Sequence, residues 1–305
     1  MTEIFSFSGE QIRVLGIDEN GYGPVLGPLV VTGVLIQFEG TPEDDLNLRW
    51  LRPPKGIADS KKVFSRSISS YSIGEIAALS IVAIANESKI PQNFDELLQF
   101  VGIDVSKLLD DEFYREVHRN YELPIWARYV DTTVLKEWLD AVGITILGVR
   151  TVISMPLDFN EAVERLGSKL ALDFMKFWEI MNSLRFDVAL CGKLGGTVRY
   201  GRFFELVSAK VKVVKESKGI STYELRDSGQ RISFVLDGDA KFLPIAMASI
   251  VGKYLRELFM LELNQAVGRD EILPWASGYR HDAHTKELAQ LLTRRFGKKN
   301  VLRIR

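Results

Sequence analysis

The sequence predicts an α/β fold built on a mixed β-sheet. β-Branched runs such as QIRVLGID, PLVVTGVLIQF and ITILGVRTVIS read as strands. Segments with helical spacing separate them. Strands and helices alternate along the chain instead of segregating, which is the pattern of α/β proteins.

In chain order, QIRVLGID is a strand and PLVVTGVLIQF its hairpin partner. SYSIGEIAALSIVAIAN reads as a helix leading into a strand. Residues 87–140 contain the acidic stretch NFDELLQFVGIDVSKLLDDEFYREVHRNYELP, which reads as a helical insertion stopped at Pro124. ITILGVRTVIS is a strand. DFNEAVERLGSKLALDFMKFWEIMNSL places Phe159, Val163, Leu166, Leu170, Phe174 and Phe177 at helical spacing, so one core-facing helix is predicted. FDVALCG is a short strand, and RISFVLDGDAKFLP a strand entering a turn. PIAMASIVGKYLRELFMLELNQ follows as a long helix with Pro244 in its first turn.

Composition narrows the function classes. The 305 residues are 46% hydrophobic and 26% charged, the balance of a globular protein with a sizeable core. The single cysteine, Cys191, excludes an intrachain disulfide and points to a reducing cytoplasm. The N-terminus lacks the pattern of a signal peptide. The apolar stretch Pro24 to Phe38 is broken by Gly27, Pro28 and Gly33 and is shorter than the ~20 residues of a spanning helix, so no membrane association is expected. A net charge of −1 leaves nucleic acid open, because local patches decide such binding.

The chemistry concentrates at strand ends. Asp18 and Glu19 lie together in GIDENGYGPVLGPL, and Asp239 lies in LDGDAKFLP, also at a strand end before a helix. One such acid in isolation reads first as a turn or N-cap. Acids from several strand ends can converge, and converged carboxylates repel unless a cation lies between them. All-oxygen ligands suit Mg²⁺ or Mn²⁺. Neighbours on a straight strand face opposite ways, so Asp18 and Glu19 share a site only if the chain bends, which Gly21 and Gly23 permit.

Four segments resemble, in order, the motifs of the type 2 ribonuclease H family: GIDENGYGPVLGPLVV, GIADSKK, DGDAKFLPIAMASIVGKYLREL and ASGYRHDAHT. The resemblance implies a ribonuclease H-like mixed sheet flanked by helices. It implies a single catalytic domain over residues 1–305, a helical and basic C-terminal part over 255–305, and no counterpart for the 87–140 insertion. It further implies metal-dependent cleavage of the RNA strand of RNA–DNA hybrids, or of ribonucleotides in duplex DNA, by a cytoplasmic monomer. Asp18, Glu19 and Asp239 take the roles of catalytic metal ligands, with Asp18 bridging two ions.

The same resemblance places Gly21, Tyr22 and Gly23 against the ribose, Lys61 and Lys62 on phosphates, and Tyr279 on the sugar at an RNA–DNA junction. Tyr22 stands where the family has arginine, and Asn20 where it usually has alanine. The largest departure is Gly192, at the position of a third family aspartate. Asp187 has the wrong strand parity to substitute, which leaves Asp237 as the nearest replacement. Losing that ligand weakens the second metal. Gly192 and Tyr22 together leave a hybrid-binding protein with little or no cleavage as a rival, Tyr22 leaves a ribonuclease H-like DNA nuclease, and the acidic insertion leaves an interaction protein. His281 and His284 are expected to flank the substrate groove, not to hold metal. The basic tail Thr293–Arg305 reads either as a duplex grip or as a solvated end.

Overall fold

The computed structural model describes residues 11–39, 53–54, 57, 63–65 and 67–303. Lys61 and Lys62 lie outside the described residues. Seven strands form one sheet: β1 (Gln11–Asn20), β2 (Leu29–Glu39), β3 (Thr145–Ser154), β4 (Val188–Gly192), β5 (Val211–Glu216), β6 (Ile220–Leu225) and β7 (Arg231–Val235). Their order is β3-β2-β1-β4-β7-β6-β5. β1, β4 and β7 are mutually parallel at the centre, while the β1–β2–β3 and β7–β6–β5 pairings are antiparallel. The α/β class and the mixed sheet are as the sequence predicts.

The helices are α1 (Ile68–Ala85), α2 (Phe94–Phe100), α3 (Val105–Leu108), α4 (Glu112–Val117), α5 (Thr133–Ala141), α6 (Pro156–Leu166), α7 (Lys169–Ser183), α8 (Gly201–Leu206), α9 (Leu243–Gln265), α10 (Ala283–Phe296) and α11 (Lys298–Val301). They cover both faces of the sheet. On β1, Ile12 and Val14 enter the core shared with α1 and α9, while Leu15 and Ile17 enter the core shared with α7 and α8. This period-2 alternation of a strand buried on both faces decides which way every later side chain on β1 points.

Three local readings are corrected. The helix predicted across residues 158–184 is two helices: Gly167 adopts φ 67° and ends α6, and the Ser168 hydroxyl caps α7. The second half of α1 is helix, not strand, because its alanine-rich sequence is packed inside the fold. By length and composition α1 could cross a membrane, but over half of it is buried here, and Tyr71 and Glu75 bond to Glu257 and Tyr254 of α9. The β5–β6 hairpin was not anticipated: β5 is exposed along nearly all its length, so its valines mark no buried face.

The segment 87–140 carries α2 to α5 and is docked, not detached. Glu262 of α9 accepts from the Arg119 backbone N–H at 2.9 Å and bonds His118 Nδ1 at 2.8 Å. Glu75 accepts the backbone N–H groups of Ile125, Trp126 and Ala127. Residue 255, the start expected for the helical and basic C-terminal part, falls inside α9. In the tail, Arg294, Arg295, Lys298 and Lys299 are exposed, but Arg303 is anchored in the fold. The backbone N–H of Arg303 bonds Val25 O at 3.0 Å, and its buried guanidinium donates to Pro24 O at 2.6 Å.

Candidate active site

The parallel strands β1, β4 and β7 end along one edge of the sheet, where α/β sheets present their ligand crevices. A cavity of about 420 Å³ opens there, lined by Asp18, Glu19, Gly21, Tyr22, Gly23, Gly192, Asp237, Asp239 and Tyr279, among others. Asp18, Glu19, Gly21, Tyr22, Gly23, Asp239 and Tyr279 therefore reach one cavity, as does position 192, whereas His281 and His284 do not line it.

The strand geometry explains the convergence of Asp18 and Glu19. Both are half-buried at the end of β1. Asp18 lies on the α9 face, in line with Val14, and Glu19 on the α7 face, in line with Leu15 and Ile17. β4 stops at Gly192, so Glu19 can reach around its end. A Cβ on Gly192 would stand 2.3 Å from Asp18 Oδ1 and 3.7 Å from Glu19 Oε2, so both carboxylates flank that one point. Asn20 is buried and anchors the strand end to α9 through Ser249 O at 3.2 Å.

The substrate-facing turn is equally constrained. Gly21 has φ 97°, and a Cβ there would lie 2.7 Å from Pro28 O and 2.7 Å from Arg256 Nε, so only glycine fits. A Cβ on Gly23 would lie 3.3 Å from Cε1 of the exposed Tyr279 ring, which places Tyr279 directly against the turn. His281 stacks near Tyr279 with ring centroids 5.5 Å apart, and His284 packs on Trp275 at 4.4 Å. The two histidines thus serve different aromatics.

The electrostatics are those of crowded carboxylates. Burial pushes the Glu19 pKa well above the ordinary carboxylate range, and the fields of Asp173, Asp18 and Asp239 add to it. Asp173, on α7, is raised in the same way by burial and by Asp18, with Arg303 opposing. Tyr22 is raised by burial, then by Asp173 and Glu19. Cys191 is fully buried, and its thiol is pushed up by burial and Asp18. Among the described residues, no three His, Cys, Asp or Glu side chains are already gathered into a cation cage.

Asp237 lines the cavity but is exposed, with φ 53°, and its carboxylate lies 4.0 Å from Lys241 Nζ. It faces solvent and Lys241 and does not share the setting of Asp239. Asp187 faces away and pairs with Arg13 at 2.9 Å.

Asp173, Arg256 and Lys253 escaped the sequence reading. Asp173 could have been found: it sits in the apolar stripe Leu170, Phe174 and Phe177, where a carboxylate does not belong without a partner. Arg256 is buried beneath the glycine turn, donating to Leu26 O and Ser277 O at 3.3 Å each. Lys253, on the cavity wall, is held by Glu257.

The family model described as Ribonuclease HII matches residues 186–305. Ribonuclease HII of Methanothermobacter thermautotrophicus is 52% identical over 52 residues, a match spanning 17% of this chain and 21% of that relative. Among solved structures, the Archaeoglobus fulgidus PCNA:RNase HII complex aligns with TM-score 0.45 at 17% identity, covering 96% of this chain and 95% of that one. Ribonuclease H2 of Pyrococcus horikoshii OT3 aligns with TM-score 0.44 at 19% identity, covering 95% and 92%. Bst-RNase HIII in complex with Mn²⁺ aligns with TM-score 0.44 at 12% identity, covering 96% and 66%. On the family model and the sequence relative together, this chain resembles the type 2 ribonuclease H family, ribonuclease HII in particular.

Proposed function

We propose that this protein is a divalent-metal-dependent endonuclease that cuts the RNA strand of RNA–DNA hybrids, or ribonucleotides in duplex DNA. One observation carries the reading: Asp18 and Glu19 at the end of β1 and Asp239 just after β7 share a cavity whose rim is the Gly21–Gly23 turn and Tyr279. The donor set fits a hard cation. It is all oxygen, Asp18 and Asp239 add to the burial-raised pKa of Glu19, and the nearby thiol is buried and protonated. Asp18, Glu19 and Asp239 would hold Mg²⁺ or Mn²⁺. When bound, such ions activate water and stabilise the leaving oxygen in phosphodiester hydrolysis.

The chain's own residues do the rest. Gly21 lets the backbone approach a ribose closely, where a 2′-hydroxyl distinguishes RNA from DNA. Tyr279, braced on Gly23, offers an exposed ring to a sugar or base at the cavity mouth. Tyr22 is half-buried and presents no positive charge to phosphate. Arg256 leaves Nε without a hydrogen-bond partner and supplies positive potential from beneath the turn. The compartment is proposed as cytoplasmic, in keeping with the free Cys191, and the active form as a monomer.

A second reading, a hybrid-binding protein without cleavage, is favoured by the missing carboxylate at Gly192. Cleavage and binding measured side by side, on a hybrid and on all-DNA duplex with Mn²⁺, separate the two. Hybrid cleavage supports the enzyme. Hybrid binding without any cutting supports the binder, and equal cutting of both duplexes supports a DNA nuclease.

A further inference from the structure

We propose that Asp173 of α7 supplies the cation-binding carboxylate that Gly192 lacks, so that the ligand set is completed from a helix on the opposite face of the sheet. The inference rests on the reading of Asp18, Glu19 and Asp239 as a cation site.

Asp173 is fully buried, and neither of its oxygens has a hydrogen-bond partner. A buried, unpaired carboxylate is strongly unfavourable unless something answers its charge. Its helix borders the cavity, although Asp173 itself is not among the lining residues. Leu170, one turn earlier on α7, comes within 3.2 Å of a Cβ built on Gly195, a cavity residue, and the Tyr22 hydroxyl lies 3.9 Å from that same point. Glu19, on the face of β1 that meets α7, and Asp18 both feel the charge of Asp173.

The competing answer is a structural ion pair. Arg303 is buried, its field reaches Asp173, and its Nε and Nη1 also lack partners. Yet Arg303 is already engaged elsewhere, through Pro24 O at 2.6 Å and the Phe159 ring at 4.8 Å. It makes no hydrogen bond to either Asp173 oxygen. The Asp173 oxygens therefore remain available to a cation shared with Glu19.

Mn²⁺ titration by calorimetry, with thermal melts in chelator and in Mn²⁺, tests this on the full chain. The proteins are wild type, Asp18→Asn, Asp173→Asn and the double variant Asp173→Asn/Gly192→Asp. Wild type is expected to bind Mn²⁺ and Asp18→Asn to lose that binding. Asp173→Asn is expected to bind at least about tenfold more weakly while melting no lower than wild type in chelator, since it removes a repelling buried charge. The double variant is expected to recover affinity, the carboxylate having moved to β4. An Asp173→Asn protein that binds Mn²⁺ as wild type does, or that unfolds or melts lower in chelator, overturns the inference in favour of the Arg303 pair. No recovery in the double variant also counts against it. If wild type itself binds no Mn²⁺, the reading of Asp18 and Glu19 fails first.

Discussion

Oδ1 of Asp18 stands 2.3 Å from the point where a Cβ on Gly192 would lie. Asp18 and residue 192 therefore address the same point, and the glycine gives the Asp18 carboxylate room to lie against the end of β4. Gly192 does not have the positive φ that would bar other residues. The obstacle to a larger side chain is the far end of one flexible carboxylate, which can rotate.

Gly192→Asp should accordingly fold, with a stability loss of about 1–3 kcal/mol from crowding, read by chelator-phase melts. With Asp173 already in the ligand set, single-turnover hybrid cleavage at saturating Mn²⁺ should change by less than about threefold, roughly 0.7 kcal/mol of barrier. A gain of about tenfold or more would show that the β4 position is needed and that α7 does not replace it.

Tyr279→Ala removes an exposed ring that lies against the glycine turn and near His281. Thermal stability should hold within about 0.5 kcal/mol, as for most surface changes. Binding at an RNA–DNA junction should weaken by about 1–3 kcal/mol, the usual worth of one stacking platform. Competition binding with plain DNA duplex is the control. Equal losses on both substrates would reduce Tyr279 to packing.

Glu262 sets a pH dependence far from the cavity. Burial raises its pKa to about 7, against hydrogen bonds from His118, the Arg119 backbone and Tyr114 that pull it down. Burial works against protonation of His118, but Glu262 and Asp95 outweigh it and raise that pKa above its ordinary value. Both folded-state values lie above the unfolded ones. The stability they contribute is thus full below the unfolded Glu262 value near ~4.5 and fades as pH rises through about 7. Unfolding free energy in chelator should therefore fall between pH 5 and about 8. Glu262→Gln should flatten part of that slope, and an identical slope in the variant would contradict the assignment.

The sequence showed what depends on period and spacing. The alternation of β1, the β-branched run of β2, the long α9 and the strand-end position of Asp18, Glu19 and Asp239 all follow from local pattern. It did not show what depends on through-space neighbours. Asp173 lies about 150 residues along the chain from Glu19 and is joined to it only by the packing of α7 on β1. The break at Gly167 was hidden because the apolar spacing continues in phase from Leu166 to Leu170 across it. β5 was invisible because an edge strand protected by Lys212 and Lys215 buries too little to alternate. Asp237 looked equivalent to Asp239 by parity. The Gly238–Ala240 turn ends the strand first, so parity no longer applies.

The most direct test of the central claim is cleavage of a DNA duplex carrying one ribonucleotide, with Mn²⁺, by wild type and by Asp18→Asn. Wild type should cut at the ribonucleotide and leave the all-DNA duplex intact. Asp18→Asn should be slower by at least about a hundredfold, roughly 2.7 kcal/mol of barrier, with its folding unchanged in chelator. Cleavage that survives Asp18→Asn, or that falls equally on the all-DNA duplex, would contradict the account.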